Sequence, residues 1–182
     1  MGLRAALLLA RGRPEGAFLI SMEGPAAQFA RARHSFIAML FCVPLFLVVQ
    51  NMGKIGPDVP DPSGITAARE FASFILAWLG YAVLSYRLAG TFGCTPDWPR
   101  FIVLWNWCNF VQYLLILGAM VPSLAGAPAI IGQTAGIVAI GWSVWLQWSA
   151  TRIALNLRGG QAALMVAADM TLGMVVLKLT AG

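Results

Sequence analysis

The sequence FIVLWNWCNFVQYLLILGAMV, residues 101–121, contains no charged side chain over a length that can cross a lipid bilayer. A transmembrane α-helix needs about 20 mostly apolar residues to cover roughly 30 Å of hydrocarbon. In hydrocarbon the backbone must satisfy its own hydrogen bonds, which leaves helices and closed barrels. Because the apolar residues are continuous rather than alternating, this stretch predicts a transmembrane helix.

Four further apolar stretches accompany this one. Together the five predicted spans are Phe36–Asn51, Phe71–Leu88, Phe101–Val121, Ala129–Trp148 and Ala162–Leu179. The hydrophobic content of 59%, the charged content of 10% and the mean hydropathy of +0.77 lie outside the range of soluble proteins. We therefore predict an all-α membrane protein, with a short basic segment over residues 1–34 and a five-helix transmembrane domain over residues 35–182.

The basic residues between these spans alternate from one side of the membrane to the other. Nine arginines fall on the side of the N-terminus: Arg4, Arg11, Arg13, Arg31, Arg33, Arg87, Arg100, Arg152 and Arg158. The other side receives Lys54, Arg69 and Lys178. Since cytoplasmic loops carry an excess of Lys and Arg, we predict a cytoplasmic N-terminus and an external C-terminus. A four-span alternative would spoil this bias over part of the chain.

The net charge of +5 does not predict a nucleic-acid partner, because the basic residues are dispersed rather than gathered with stacking aromatics. The expected partners are the lipid bilayer and either a second copy of the chain or another membrane protein. Ten arginines against two lysines are typical of a GC-rich bacterial genome. We therefore expect a multi-pass protein of the bacterial inner membrane.

Cysteine and histidine contents predict neither a metal site nor a cofactor. Cys42 and Cys108 lie in predicted spans, and Cys94 lies in a cytoplasmic loop where thiols stay reduced. His34 is the single histidine, so the chain offers no zinc ligand set and no bis-histidine haem site. HExxH, GxSxG, Walker and GxGxxG patterns are absent, and no enzyme is predicted.

Local features of the spans suggest how the helices pack. Pro44 lies in the middle of the first span and is a candidate kink. Gly132 and Gly136 form a GxxxG pattern that allows close helix approach, either within one bundle or between two copies. The tryptophans near the cytoplasmic side indicate an aromatic belt, with a ligand cage as the alternative: Trp98, Trp105, Trp107, Trp142, Trp145 and Trp148.

The polar side chains of the spans centre on Asp169, in the fifth. A carboxylate at the middle of a transmembrane helix costs about 2.5–3.5 kcal/mol, so it needs hydrogen-bond donors or protonation. Asn106, Asn109 and Gln112 are spaced by three residues and share one stripe of the third span, at a similar depth. We expect a contact between these two spans, acting either as a structural clamp or as a proton or ion relay.

Three segments resemble those of bacterial Yip1-like membrane proteins. A basic stretch, Phe29–Phe36 (FARARHSF), leads into a proline-containing span. Leu88–Pro122 begins with a glycine-containing turn (LAGTFG) before a long third span. Trp142–Ala163 ends a tryptophan-rich span in a polar turn (NLRGGQAAL, residues 156–164) that starts the last helix.

The resemblance implies a five-helix bundle with a cytoplasmic N-terminus, no known catalytic site and a capacity for self-association. Eukaryotic members of the family bind small GTPases, but their DLYGPFW-type signature is absent here, which argues against that role. We therefore expect a non-enzymatic, membrane-organising or partner-binding protein. The alternative is a small proton-linked transporter subunit centred on Asp169.

Overall fold

A computed structural model describes residues 1–20, 24–52 and 64–181 of the chain. Its helices in chain order are α1 (Gly2–Ala10), α2 (Glu15–Phe18), α3 (Gly24–Ser35), α4 (Ile37–Met52), α5 (Gly64–Thr91), α6 (Trp98–Leu124), α7 (Ala129–Ala154) and α8 (Gly159–Ala181). A short 3-10 turn, Thr95–Asp97, precedes α6, and these described ranges contain no strand. Lys54, which is expected on the external side of the membrane, lies outside the described residues.

Five helical segments are long and apolar enough to cross a membrane, which confirms the predicted helical membrane fold. They are Ala26–Asn51, Gly64–Thr91, Thr95–Leu124, Ala129–Ala154 and Gly159–Thr180. The helices extend beyond the apolar runs, because polar turns at their ends keep helical hydrogen bonds. α5 thus begins at Gly64 rather than Phe71, and α7 continues past Trp148 to Ala154.

The central helix of the bundle is α6, which contains the stretch that predicted the fold. It packs most extensively against α7 and also contacts α1, α3 and α4. Every residue from Phe101 to Asn106 is buried. Since six consecutive residues point in all directions around a helix of 3.6 residues per turn, neighbouring elements surround this half of α6. α5 packs mainly against α8, and α8 also packs against α7.

The N-terminal segment forms helices that pack against the bundle. The interleaved apolar and basic residues of Leu3–Ala10 allow two interpretations from sequence, a headgroup-bound helix or a partly disordered tail. In the structure α1 contacts α6 and α7, and the side chains of Ala5, Ala6 and Leu9 are fully buried. The small side chains of Ala5 and Ala6 permit close approach of the helices, and Leu9 fills space beside them. The domain boundary between residues 34 and 35 stays a prediction.

Hydrogen bonds join the ends of consecutive spans at the side of the bundle where α6 and α8 begin. Arg100 Nε, in the first turn of α6, donates to the carbonyl oxygen of Ala154 at the end of α7 at 3.0 Å. Trp148 Nε1 on α7 donates to the carbonyl oxygen of Gly159, where α8 starts, at 2.9 Å. Residues at similar distances from this side therefore lie at similar depths in the bundle.

Candidate functional site at Asp169

Asp169 lies near the middle of α8, ten residues after Gly159. At 1.5 Å per residue this places it about 15 Å along the helix axis. Its side chain is half-buried. A carboxylate at this depth is costly unless donors compensate for the loss of water, so its hydrogen bonds decide how the site is built.

Two side chains donate hydrogen bonds to Asp169. Trp105 Nε1 on α6 lies 2.9 Å from Oδ2, and Gln147 Nε2 on α7 donates to the same oxygen. Both donors are buried, with exposed fractions of 3% and 8%. The carboxylate therefore joins three membrane-spanning helices.

A cavity of about 210 Å³ adjoins the carboxylate. Its walls come from α4, α5, α6 and α8, and the residues that line it are Phe46, Gln50, Ser73, Phe74, Ala77, Trp78, Trp105, Asn109, Tyr113, Asp169, Gly173 and Leu177. α4 packs against α5 and α6, whereas α8 packs against α5 and α7. The cavity thus lies between α4 and α8, which both pack against α5.

Aromatic side chains form a continuous cluster along this cavity. The ring centroids of Phe46 and Phe74 are 4.9 Å apart, those of Phe74 and Trp78 are 5.2 Å apart, and those of Trp78 and Trp105 are 5.1 Å apart. These separations fall in the range of favourable aromatic pairs. Because Trp105 is buried and bonded to Asp169, it cannot contribute to a lipid-facing aromatic belt.

The three amide side chains expected near Asp169 take part in three different contacts. Asn109 lines the cavity and donates through Nδ2 to the backbone oxygen of Trp105 at 2.9 Å. Gln112 Nε2 donates to the backbone oxygen of Ser143 on α7 at 3.1 Å. Of the three residues, the structure brings Asn109 into the site and places Gln112 at the α6–α7 contact.

Asn106 is fully buried and links α5 to α3. It accepts a hydrogen bond from Trp78 Nε1 at 2.8 Å and donates through Nδ2 to Ser35 Oγ at 2.7 Å. Ser35 in turn donates to the backbone oxygen of Ala32. Asn106 therefore joins a second polar network, beside the one that holds Asp169.

The sequence did not single out Gln147 or Trp105 as donors to the carboxylate. A signal was nevertheless available, because Gln147 is a polar residue inside an apolar span. It lies seven residues before the end of α7 at Ala154, and Trp105 lies seven residues after the start of α6 at Trp98. Asp169 lies ten residues into α8, a difference of about 5 Å in depth, so counting from the same side of the bundle would have made both side chains candidate donors.

The remaining candidate residues lie away from this site. Pro44 is inside α4 with its side chain exposed. A Cβ at Gly132 would collide with the Ser123 side chain of α6, whereas one at Gly136 would meet no atom within 4 Å. His34 lines a separate cavity with Arg31 and Trp107.

Metal-ligating side chains do not gather in the part of the chain that the structure describes. No group of three or more His, Cys, Asp and Glu residues is placed there to hold an ion. Cys42, Cys94 and Cys108 are buried free thiols.

The fold and this site define a polytopic helical membrane protein with a carboxylate held inside its bundle. The Yip1 domain family matches residues 21–180, and the chain belongs to this family. The search of curated proteins and the search of solved structures gave no match.

Proposed function

We propose that this chain is a non-enzymatic, partner-binding component that organises the bacterial inner membrane, with its N-terminus in the cytoplasm. Membership of the Yip1 family supports a membrane protein without a catalytic site. The distribution of arginines supports the orientation. The partner that we propose is a second copy of the chain.

The observation that carries self-association is the open space at Gly136 on α7. Gly132 of the same GxxxG pattern is already used inside the chain, because it packs against Ser123. Among the residues that the structure describes, no atom lies within 4 Å of a Cβ at Gly136, and Ile137 and Ile140 beside it are exposed. In membranes, small residues allow the close backbone contact on which helix association depends. This face of α7 is therefore suited to meet a second helix.

Single-molecule photobleaching of the labelled protein in lipid vesicles tests this proposal. Wild type should bleach in two steps, and Gly136→Leu should bleach mostly in one because the leucine separates the helices. Gly141→Leu is the matched control, since Gly141 lies on α7, also faces no atom within 4 Å, and points to a different side. One-step bleaching of wild type at every protein-to-lipid ratio would contradict self-association.

The alternative of a proton-linked transporter subunit depends on Asp169 alone. The described residues that line its cavity include no second carboxylate and no histidine to continue a relay. Asp169 also accepts two hydrogen bonds, which supports a structural clamp. Proton uptake measured with a pH-sensitive dye inside vesicles would restore this alternative if wild type carried protons and Asp169→Asn did not.

A further inference from the structure

The cavity beside Asp169 combines one carboxylate with five aromatic side chains. Phe46, Phe74, Trp78, Trp105 and Tyr113 all line the space that Asp169 lines. Structural packing of aromatic side chains does not require an open volume or a carboxylate among them. The cavity is therefore suited to a ligand that both a carboxylate and aromatic rings attract.

The charge of the carboxylate is not neutralised by a side chain in the cavity wall. The lining residues that the structure describes include no Lys, Arg or His. Trp105 and Gln147 both donate to Oδ2, so Oδ1 receives neither hydrogen bond. Charges withdrawn from water in proteins are paired or bound to a cation, and here Oδ1 is available for one.

Aromatic walls select the kind of cation that this cavity can hold. The faces of Trp, Tyr and Phe rings attract alkylated ammonium ions, which shed their hydration more easily than small metal ions. Ca²⁺ and Mg²⁺ require six or more oxygen ligands, and one carboxylate with a few amide and hydroxyl groups cannot supply them here. We propose that the Asp169 cavity binds a substituted ammonium ion.

The cavity is larger than a single water, and it continues into a second cavity. About 210 Å³ exceeds the space of a single water, which takes up roughly 30 Å³ in the liquid. A second cavity of about 410 Å³ shares Gln50, Ser73 and Leu177 with the first. It continues past Arg69, Glu70 and Thr180, towards the end of the bundle where α8 finishes. A ligand can therefore approach Asp169 along a path with polar side chains.

An ammonium group can come from a free amine or from a lipid headgroup such as that of phosphatidylethanolamine. The recognised chemistry is the same for both sources: a cation between the Asp169 carboxylate and the aromatic rings. The experiment therefore uses nanodiscs of phosphatidylglycerol, which contains no amine, and measures binding of radiolabelled ethanolamine and choline to the full-length protein at equilibrium.

Two variants separate loss of the site from loss of the fold. Asp169→Asn keeps the shape of the side chain and an oxygen acceptor, and should weaken binding at least about tenfold because the charge is removed. Gly173→Leu should fill the cavity without strain, since a Cβ at Gly173 meets no atom within 4 Å in the described part of the chain. Gly118→Leu is the matched control, because Gly118 is also open but does not line this cavity.

The outcomes distinguish the two sources. Saturable binding of the free amine by wild type and Gly118→Leu, lost in Asp169→Asn and Gly173→Leu, supports the proposal. If phosphatidylethanolamine in the nanodisc displaces the bound amine, the lipid headgroup is a ligand of the site; if it does not, free amines are. The proposal is overturned if wild type binds neither amine and no phosphatidylethanolamine, or if both cavity variants bind as wild type does. Equal competition by 3,3-dimethylbutanol, the uncharged analogue of choline, would also overturn it.

Discussion

Trp105 on α6 donates its indole N–H to Oδ2 of Asp169 on α8 at 2.9 Å. The same oxygen accepts a hydrogen bond from Gln147 on α7, so one atom holds three spans together. Both donors are themselves buried, with exposed fractions of 3% for Trp105 and 8% for Gln147, so they reach this oxygen from inside the bundle. The indole of Trp105 is therefore a stabilising donor as well as a packing group.

Replacing Trp105 with phenylalanine tests the stabilising role of this hydrogen bond. The ring keeps most of the packing but loses the N–H, so the free energy of unfolding should fall by about 1–2 kcal/mol. Thermal unfolding in detergent, followed by circular dichroism, measures the change. Trp145→Phe is the control because Trp145 is 38% exposed and should have little effect. Equal losses in both variants would show that ring size, rather than the donor, matters.

Asn106 should be more important for stability than Asn109, although both lie on one stripe of α6. Asn106→Leu leaves the Trp78 N–H without its acceptor in a fully buried position, which costs about 1–3 kcal/mol. Asn109→Leu loses a bond to the backbone of its own helix and should cost less. Urea or detergent titration of both variants gives the comparison. A larger loss in Asn109→Leu would contradict the role assigned to the buried network.

The spans could be predicted from the sequence because hydrocarbon imposes a strong rule on composition. Phe101–Val121 has no alternative to a membrane helix once its length and lack of charge are known. The ends of α5 and α7 could not be predicted from hydropathy, because their polar terminal turns remain helical. Helix length depends on hydrogen bonding as well as on burial.

The need of Asp169 for donors was also predictable, but the identity of those donors was not. The sequence gives the depth of a residue in its span, since depth follows from counting along the helix. It does not give the rotation of one helix relative to another, which decides that Trp105 and Gln147 meet the carboxylate while Gln112 faces Ser143. That rotation follows from side-chain packing over the whole bundle.

Arg100 should stabilise the contact between α6 and α7 through a backbone acceptor. Its Nε donates to the carbonyl oxygen of Ala154, one of the last carbonyl groups of α7, which lack partners within their helix. Arg100→Gln should lower the free energy of unfolding by about 1–2 kcal/mol, because a positive charge near a helix C-terminus is also favourable. Thermal unfolding measures the loss.

Two controls separate the backbone contact of Arg100 from surface charge. Arg87→Gln removes an exposed arginine and should change the stability little. Asp97→Asn removes the partner of Arg100 at 3.4 Å, a partly exposed ion pair that contributes little on its own. If Asp97→Asn costs as much as Arg100→Gln, the ion pair rather than the bond to Ala154 is the stabilising contact.

The thiol of Cys94, in the turn between α5 and α6, should react slowly with alkylating reagents. Burial raises the pKa of Cys94, and the nearby Asp97 carboxylate raises it further. The thiol also donates a hydrogen bond to the backbone oxygen of Ala89 at 3.5 Å, which a thiolate could not do. Because a raised pKa keeps the thiol protonated to higher pH, the thiolate fraction at pH 8 is below that of free cysteine.

Alkylation of Cys94 by iodoacetamide, followed by peptide mass spectrometry, should therefore be slower than alkylation of glutathione, and its rate should rise at a higher pH. Asp97→Asn should shift this rise in rate to lower pH, whereas the control Asp169→Asn should leave it in place. An unchanged pH profile in Asp97→Asn would show that burial alone protects the thiol.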